Sequence, residues 1–260
     1  MAMIPNPSSR GLLIDVTRCL GCGACTTACK ESHGFPGDGE ETELDATTYT
    51  VLLDKGDDRY LRRLCMHCAD PTCVSACPVG ALHKTELGPV TYDASRCIGC
   101  RYCMVACPFN VPCYEWSKAV PEVRKCDMCV DRQREGRMPA CAEACPVEAT
   151  VYGTREELLA EAHRRIREDP GTYHPEVYGE KEVGGTNVLI LSPVPFDQLG
   201  MTVGLGNEPL PNLTWEALAK VPVVVGVGAP ALFAVYWITH RRQEVAAAER
   251  AEKEAGHASR

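Results

Sequence analysis

The chain has 260 residues, enough to bury a core in one large domain or two modest ones, so its seventeen cysteines are not needed as the disulfide staples of a small secreted scaffold. A formal net charge of −8 argues against a general nucleic-acid binder. Apart from Cys113, the cysteines fall in four sets of four whose spacing suits neither disulfide frameworks nor zinc ribbons, which leaves iron–sulfur ligation.

Residues 1–10 are polar, with no apolar run and no twin arginine, so no secretory signal is expected there. Residues 11–16 read as a short strand feeding the first set, Cys19, Cys22, Cys25 and Cys29, in which Gly21 and Gly23 loosen the loop and Lys30 stands where a proline closes other sets. The glycine-rich acidic stretch 31–43 reads as a surface loop. Two strands, 47–53 and 59–64, flank a turn containing Gly56. The second set follows: Cys65, Cys68, Cys73 and Cys77, then Pro78. Strands are expected again at 79–83 and from 88 to 92.

The third set, Cys97, Cys100, Cys103 and Cys107 with Pro108, is the C-x2-C-x2-C-x3-C-P run in which thiolates hold [4Fe–4S] cubes. Three thiolates at every third position converge on one cube, Gly99 lets the backbone wrap beside them, and the fourth begins to point elsewhere. The fourth set is Cys126, Cys129, Cys141 and Cys145, its third cysteine delayed by a charged insertion at 130–140. Cys77-Pro78-Val79-Gly80-Ala81 and Cys145-Pro146-Val147-Glu148-Ala149 repeat one another, the mark of a duplicated unit.

Thr154 and Glu157 form a capping box that opens a helix through 168, with Leu158, Leu159, Ala162 and Ile166 as its apolar stripe. A short apolar strand is expected at 187–191, and 192–211 reads as an extended connector crossing a neighbouring surface. Residues 221–239 carry no charge and, as a helix, would span roughly 28 Å, close to a bilayer's hydrocarbon core. Trp215 lies before one end and Tyr236 and Trp237 near the other, as in an aromatic belt. Residues 240–260 read as a charged, solvated helical tail. Arg241 and Arg242 follow the span while only Lys220 precedes it closely, which puts the C-terminus in the cytoplasm and the cluster domain outside. Export then relies on a signal-bearing partner; the reversed orientation is the alternative.

Three phrases carry a family resemblance: Cys65-Met66-His67-Cys68-Ala69-Asp70-Pro71, the run from Gly99 to Pro112, and Lys125-Cys126-Asp127-Met128-Cys129-Val130-Asp131-Arg132. The segments 152–158 and 183–189 extend it. On these the chain resembles the four-cluster electron-transfer subunits of membrane-bound respiratory oxidoreductases. The nearest types are the ferredoxin-like subunit of periplasmic nickel–iron hydrogenases and the beta subunit of respiratory formate dehydrogenase. The resemblance implies an α+β fold of two nested modules similar to bacterial dicluster ferredoxins, followed by a single C-terminal transmembrane helix. The corresponding division is 1–153 for the cluster domain, 154–219 for a helix and connector, 220–240 for the span and 241–260 for the tail.

The resemblance also implies four [4Fe–4S] clusters and their ligands. One takes Cys19, Cys22, Cys25 and Cys145; a second takes Cys29, Cys126, Cys129 and Cys141. A third takes Cys65, Cys68, Cys73 and Cys107, and the last Cys77, Cys97, Cys100 and Cys103. Pairing of sequential sets is the alternative, and in either case all sixteen are ligands.

Several residues have two readings. Cys113 reads as a buried thiol outside the sets, and His67 as a packing residue beside a cluster rather than a ligand. Lys125, Arg132 and Arg134 either tune a cluster, dock a partner or are solvated, and Tyr114 and Trp116 either cover a cluster or pack in the core. No nucleophile, paired-carboxylate or nucleotide-binding motif is present, so no catalytic residue is assigned. The expected role is an electron-transfer subunit on the bacterial cytoplasmic membrane. Its partners are a large catalytic subunit, nickel–iron or molybdenum/tungsten, and an integral membrane subunit that handles quinone; no nucleic acid is involved. A self-standing iron–sulfur enzyme and a structural cluster protein are the rival readings.

Overall fold

Leu12, Leu13 and Ile14 are all but inaccessible, because their strand, β1 (Arg10–Asp15), is covered on both faces and paired on both edges. A computed structural model describes residues 6–119 and 121–258; residues 1–5 of the polar start and 259–260 of the tail lie outside the described residues. Along β1 the side chains alternate between two cores, as a pleated strand requires. Leu13 faces Leu158 and Ala162, whereas Leu12 and Ile14 face a larger cluster that includes Cys29, Cys65, Cys126 and Cys141.

The first cysteine set leads into α1 (Ala24–His33), so the acidic loop expected from 31 begins three residues later, where Gly34 ends the helix. The hairpin β2 (Thr50–Asp54) and β3 (Tyr60–Leu64) pairs antiparallel from Thr50↔Leu64 to Asp54↔Tyr60, close to the expected strands. Short helices then occupy the cysteine loops: α2 (Thr72–Ser75), α3 (Tyr102–Ala106), α4 (Val130–Arg134) and α5 (Ala140–Glu143). Between them lie two more hairpins, β4 (Leu82–Lys84) with β5 (Val90–Tyr92), and β6 (Cys113–Tyr114) with β7 (Val123–Arg124).

β8 (Thr150–Thr154) runs antiparallel to β1 and hands over directly to α6 (Arg155–Glu168). The capping box forms as expected: the Glu157 N–H donates to Thr154 Oγ1 at 3.3 Å, and the Thr154 N–H donates to Glu157 Oε2 at 2.9 Å. β9 (Val188–Leu191) pairs parallel to β1 with Leu12 opposite Val188, completing a sheet of order β8-β1-β9. The following connector packs on its own domain, since Phe196 and Leu199 are buried in the cluster that holds Leu12 and Ile14.

The chain divides into two compact units, Met1–Asn212 and Leu213–Arg260. The helix α7 (Leu210–Leu218) precedes a single long helix, α8 (Val221–Ala258), with Pro230 inside it. The region Leu210–Ala251 is long and apolar enough to cross a membrane by length and composition, and none of its apolar window is buried within the chain. Leu232, Phe233 and Trp237 stand exposed on it, which a core helix of a water-soluble domain would not tolerate.

Candidate iron–sulfur centres

Each Cys-x-x-Cys loop turns at the same place. The residue before the second cysteine is left-handed in all four: Gly21 at φ 71°, His67 at 48°, Gly99 at 70° and Met128 at 56°. That turn folds the backbone over so that neighbouring sulfurs face one way and amides point at them. The N–H groups of Gly99 and Met128 lie 3.4 and 3.3 Å from Cys97 Sγ and Cys126 Sγ. Glycine is required in two of the loops by crowding as well. A Cβ on Gly21 would stand 2.6 Å from the Tyr60 ring, and one on Gly99 would stand 2.9 Å from Tyr114 Oη. In the other two loops the side chains of His67 and Met128 are themselves buried.

A second repeated turn follows three of the fourth cysteines. In the Cys-Pro-x-x runs the last residue is left-handed: Gly80 at 63°, Asn110 at 51° and Glu148 at 52°. The Ala81 N–H reaches Cys77 Sγ at 3.2 Å from this turn. The first set departs from the pattern because Cys29 lies inside α1, which continues through Lys30.

Cysteines far apart in sequence are brought together. Cys19, Cys22, Cys25 and Cys145 line one small cavity, and Cys77, Cys97, Cys100 and Cys103 line another. The Cys68 thiol is pushed well up by burial, with the charges of Cys65, Cys107 and Cys73 acting in the same direction. Burial likewise pushes Cys126 well up, and Cys29 and Cys141 add to it. Burial raises Cys129 to about 12, again with Cys141 and Cys29 as neighbours. Cys141 acts on Cys25, Cys65 on Cys126, and Cys103 on Cys73, so thiols of different sets lie near one another.

Such thiols stay protonated when nothing binds them. Only a metal or a fixed positive charge makes several buried thiolates tolerable at one point. The donors fit iron–sulfur groups: both cavities offer sulfur, with no histidine or carboxylate on their walls, and all seventeen cysteines are free thiols. Six are buried (Cys29, Cys65, Cys103, Cys126, Cys129 and Cys141), whereas Cys22 and Cys100 are exposed.

The remaining candidates separate cleanly. His67 is fully buried; its Nδ1 accepts the Val90 N–H at 2.9 Å, and its Nε2 has no partner. Burial, with Lys125 and Lys84 nearby, holds its imidazole well below the usual range. The proton of the neutral ring therefore sits on Nε2 as an unsatisfied buried donor. Lys125 is buried, not solvated, and donates to the carbonyls of Val90 and Cys126. Arg132 pairs with Glu143 and Arg134 with Asp131 on the surface. Trp116 is 69% exposed and stacks edge-on with Tyr114, with the Arg101 guanidinium over both rings. Cys113 is half-buried and donates to Leu44 and Val111 carbonyls.

Three contacts were not legible in the sequence. Arg62 donates from Nη2 to Cys141 Sγ at 3.0 Å. Lys84 Nζ donates to the His67 and Cys68 carbonyls at 3.1 and 2.8 Å. His33 Nε2 lies 3.2 Å from Asp127 while its Nδ1 donates to the Cys29 carbonyl. Burial by itself pulls His33 down, but Asp127 and Cys29 hold it up at about 10. Arg62 and Lys84 sit on short strands and His33 ends α1, and only the segment packed against each reveals which way it faces.

Comparison with known proteins agrees with this chemistry. The family described as a 4Fe-4S dicluster domain matches residues 57–155, and a 4Fe-4S binding domain matches residues 17–32. A protein of Nitratidesulfovibrio vulgaris is 45% identical, covering 97% of this chain and 73% of its own length. The Hydrogenase-2 operon protein HybA of Escherichia coli O157:H7 is 40% identical over 88% of this chain and 85% of its own length. The iron-sulfur subunit of the nitrate-inducible formate dehydrogenase of Escherichia coli K12 is 38% identical over 76% of this chain and 72% of its own length. A chain that shares this identity over most of both lengths, and brings its cysteines into buried groups, belongs to the 4Fe-4S ferredoxin-like, electron-transferring subunits of respiratory oxidoreductases.

Proposed function

We propose that this chain carries four [4Fe–4S] clusters in a single file and relays electrons between a catalytic subunit and a quinone-linked membrane subunit. Each such cluster, when bound, accepts or gives one electron without breaking a bond. The observation that carries the reading is the grouping of thiols across the sequence: Cys145 shares a cavity with Cys19, Cys22 and Cys25, and Cys77 shares one with Cys97, Cys100 and Cys103. The same nesting would put Cys29 with Cys126, Cys129 and Cys141, and Cys107 with Cys65, Cys68 and Cys73. The mutual effects of those thiols support it.

The neighbour pairs Cys25–Cys141, Cys126–Cys65 and Cys73–Cys103 support an order in which the Cys22 and Cys100 groups are the two ends. Both ends carry bare apolar side chains suited to docking, Leu20 at one and Ile98, Tyr102 and Val105 at the other. The catalytic partner would be a nickel–iron hydrogenase subunit or a molybdenum/tungsten formate dehydrogenase subunit, by analogy with the named relatives. α8 would anchor the chain in the cytoplasmic membrane. With Arg241 and Arg242 inside, the cluster domain is outside.

Iron analysis should give about sixteen irons per chain, with four one-electron centres by electron paramagnetic resonance. The pairing is read from single variants. Cys22→Ala and Cys145→Ala should abolish the same signal. If Cys145→Ala instead abolishes the signal lost in Cys100→Ala, sequential sets are paired and the nested reading is wrong. Protease added to intact spheroplasts should cleave the cluster domain; complete protection until lysis would reverse the topology.

A further inference from the structure

Arg62 is an arginine in an unusual position. It is 2% exposed, and among the described residues no carboxylate is paired with it. Of the other buried cations, Arg165 meets Asp15 and Lys30 meets Glu41, whereas Lys125 and Arg155 donate to backbone carbonyls. A guanidinium cannot shed its proton to escape burial, so it requires a counter-charge within reach. Its fork is held in three directions. Nε donates to Thr50 Oγ1 at 3.1 Å, Nη1 to Thr150 Oγ1 at 2.8 Å, and Nη2 to Cys141 Sγ at 3.0 Å. The same side chain lines the cavity of Cys19, Cys22, Cys25 and Cys145. Cys141, Cys25 and Cys126, thiols of two different groups, act on its charge, and it acts on Cys25 in turn.

We propose that Arg62 is the shared counter-charge of two adjacent iron–sulfur centres, the one that takes Cys25 and the one that takes Cys141, and that it raises the reduction potential of both. The proposal rests on the four-cluster reading above. An electron arriving from the catalytic partner or the neighbouring centre adds one unit of negative charge and no proton. A fixed cation beside the centre favours that step, and an N–H···S hydrogen bond draws charge from the thiolate in the same sense. The two threonine hydroxyls keep the guanidinium from turning toward one centre alone. Arginine suits this place because its planar fork satisfies three acceptors at once, which a lysine ammonium on a flexible stem does not.

The test is a potentiometric titration, followed by electron paramagnetic resonance, on the full chain in its complex, with iron measured on each preparation. In Arg62→Gln, two of the four midpoints should fall, each by at least tenfold in the reduction equilibrium, or about 59 mV for a one-electron couple. The other two should stay in place. Arg62→Lys, which keeps the charge, should fall less. Four unmoved midpoints at full iron content would overturn the proposal, and so would four that move together. If Arg62→Gln loses iron, full iron in Arg62→Lys supports the charge role, whereas loss in both variants makes Arg62 merely structural and overturns it. Wild-type protein with far fewer than about sixteen irons would sink the four-cluster reading. The fate of Arg62 would still be read from whether the Cys25 and Cys141 centres alone shift.

Discussion

Arg165 of α6 donates to Asp15 Oδ2 at 2.8 Å, at the end of β1 where the chain enters the first cysteine loop. Asp15 is fully buried and also accepts from Tyr173 Oη at 2.9 Å and from the Thr17 N–H at 3.0 Å. The contact fixes the helix to the strand that delivers Cys19. Removing the cation leaves the buried carboxylate with neutral hydrogen-bond donors and one longer ion pair, 3.7 Å to the half-exposed Arg18. Arg165→Met is expected to lower stability by about 3 kcal/mol or more. The measurement is the midpoint of denaturant unfolding, followed by loss of visible iron–sulfur absorbance.

Gly99 and Met128 occupy equivalent turns with opposite tolerances. Gly99→Val places a branched side chain at φ 70° against Tyr114, a conformation that costs about 1–2 kcal/mol before the clash is counted. Iron content should drop by as much as one cluster's share. Met128→Ala keeps an allowed backbone but empties a site that is 1% exposed, a cavity costing roughly 2–5 kcal/mol. Its iron content should hold at low temperature while its unfolding midpoint falls.

His67 tests the value of one hydrogen bond inside a cysteine loop. In His67→Leu the Val90 N–H loses the imidazole acceptor it meets at 2.9 Å, at a cost of about 1–3 kcal/mol. His67→Asn supplies an amide oxygen and tolerates the left-handed backbone, so it should recover most of the loss. Thermal unfolding of the two variants side by side decides it. Equal stabilities would mean that packing, not the hydrogen bond, is what His67 provides.

Iron removal should unfold the N-terminal unit rather than leave an empty shell. Cys29, Cys65, Cys126 and Cys141 belong to the main apolar cluster itself, next to Leu12, Ile14 and Tyr178. Without metal their thiols pack around voids in place of filled centres. Chelation under oxidising conditions should abolish protease resistance in residues 6–212. Cys113→Ser is the control: its thiol donates to the carbonyls of Leu44 and Val111, as a hydroxyl would, and iron content should not change.

The secondary elements that the sequence announced share a local cause. The Thr154–Glu157 capping box, the two strands flanking the turn at Gly56, and the uncharged run inside α8 are each set by neighbours within a few residues. The helix α1 and the β6–β7 hairpin were not announced. α1 begins in the middle of a cysteine loop, and β6–β7 pairs only two residues per strand, too few for a period-2 pattern to register.

By itself the sequence determined the chemistry: sixteen cysteines at ligand spacing, tight turns at Gly21 and Gly99, and an apolar helix with arginines at one end. Only the tertiary structure decided which cysteines meet and which charges accompany them. Cys145 reaches Cys19 because β8 pairs back along β1, in register from Ile14↔Thr150 to Arg10↔Thr154. Arg62 and Arg63 look alike on one short strand, yet Arg62 is buried against Cys141 and Arg63 is exposed. A strand alternates its faces without saying which face will be covered; that depends on where distant segments close over it.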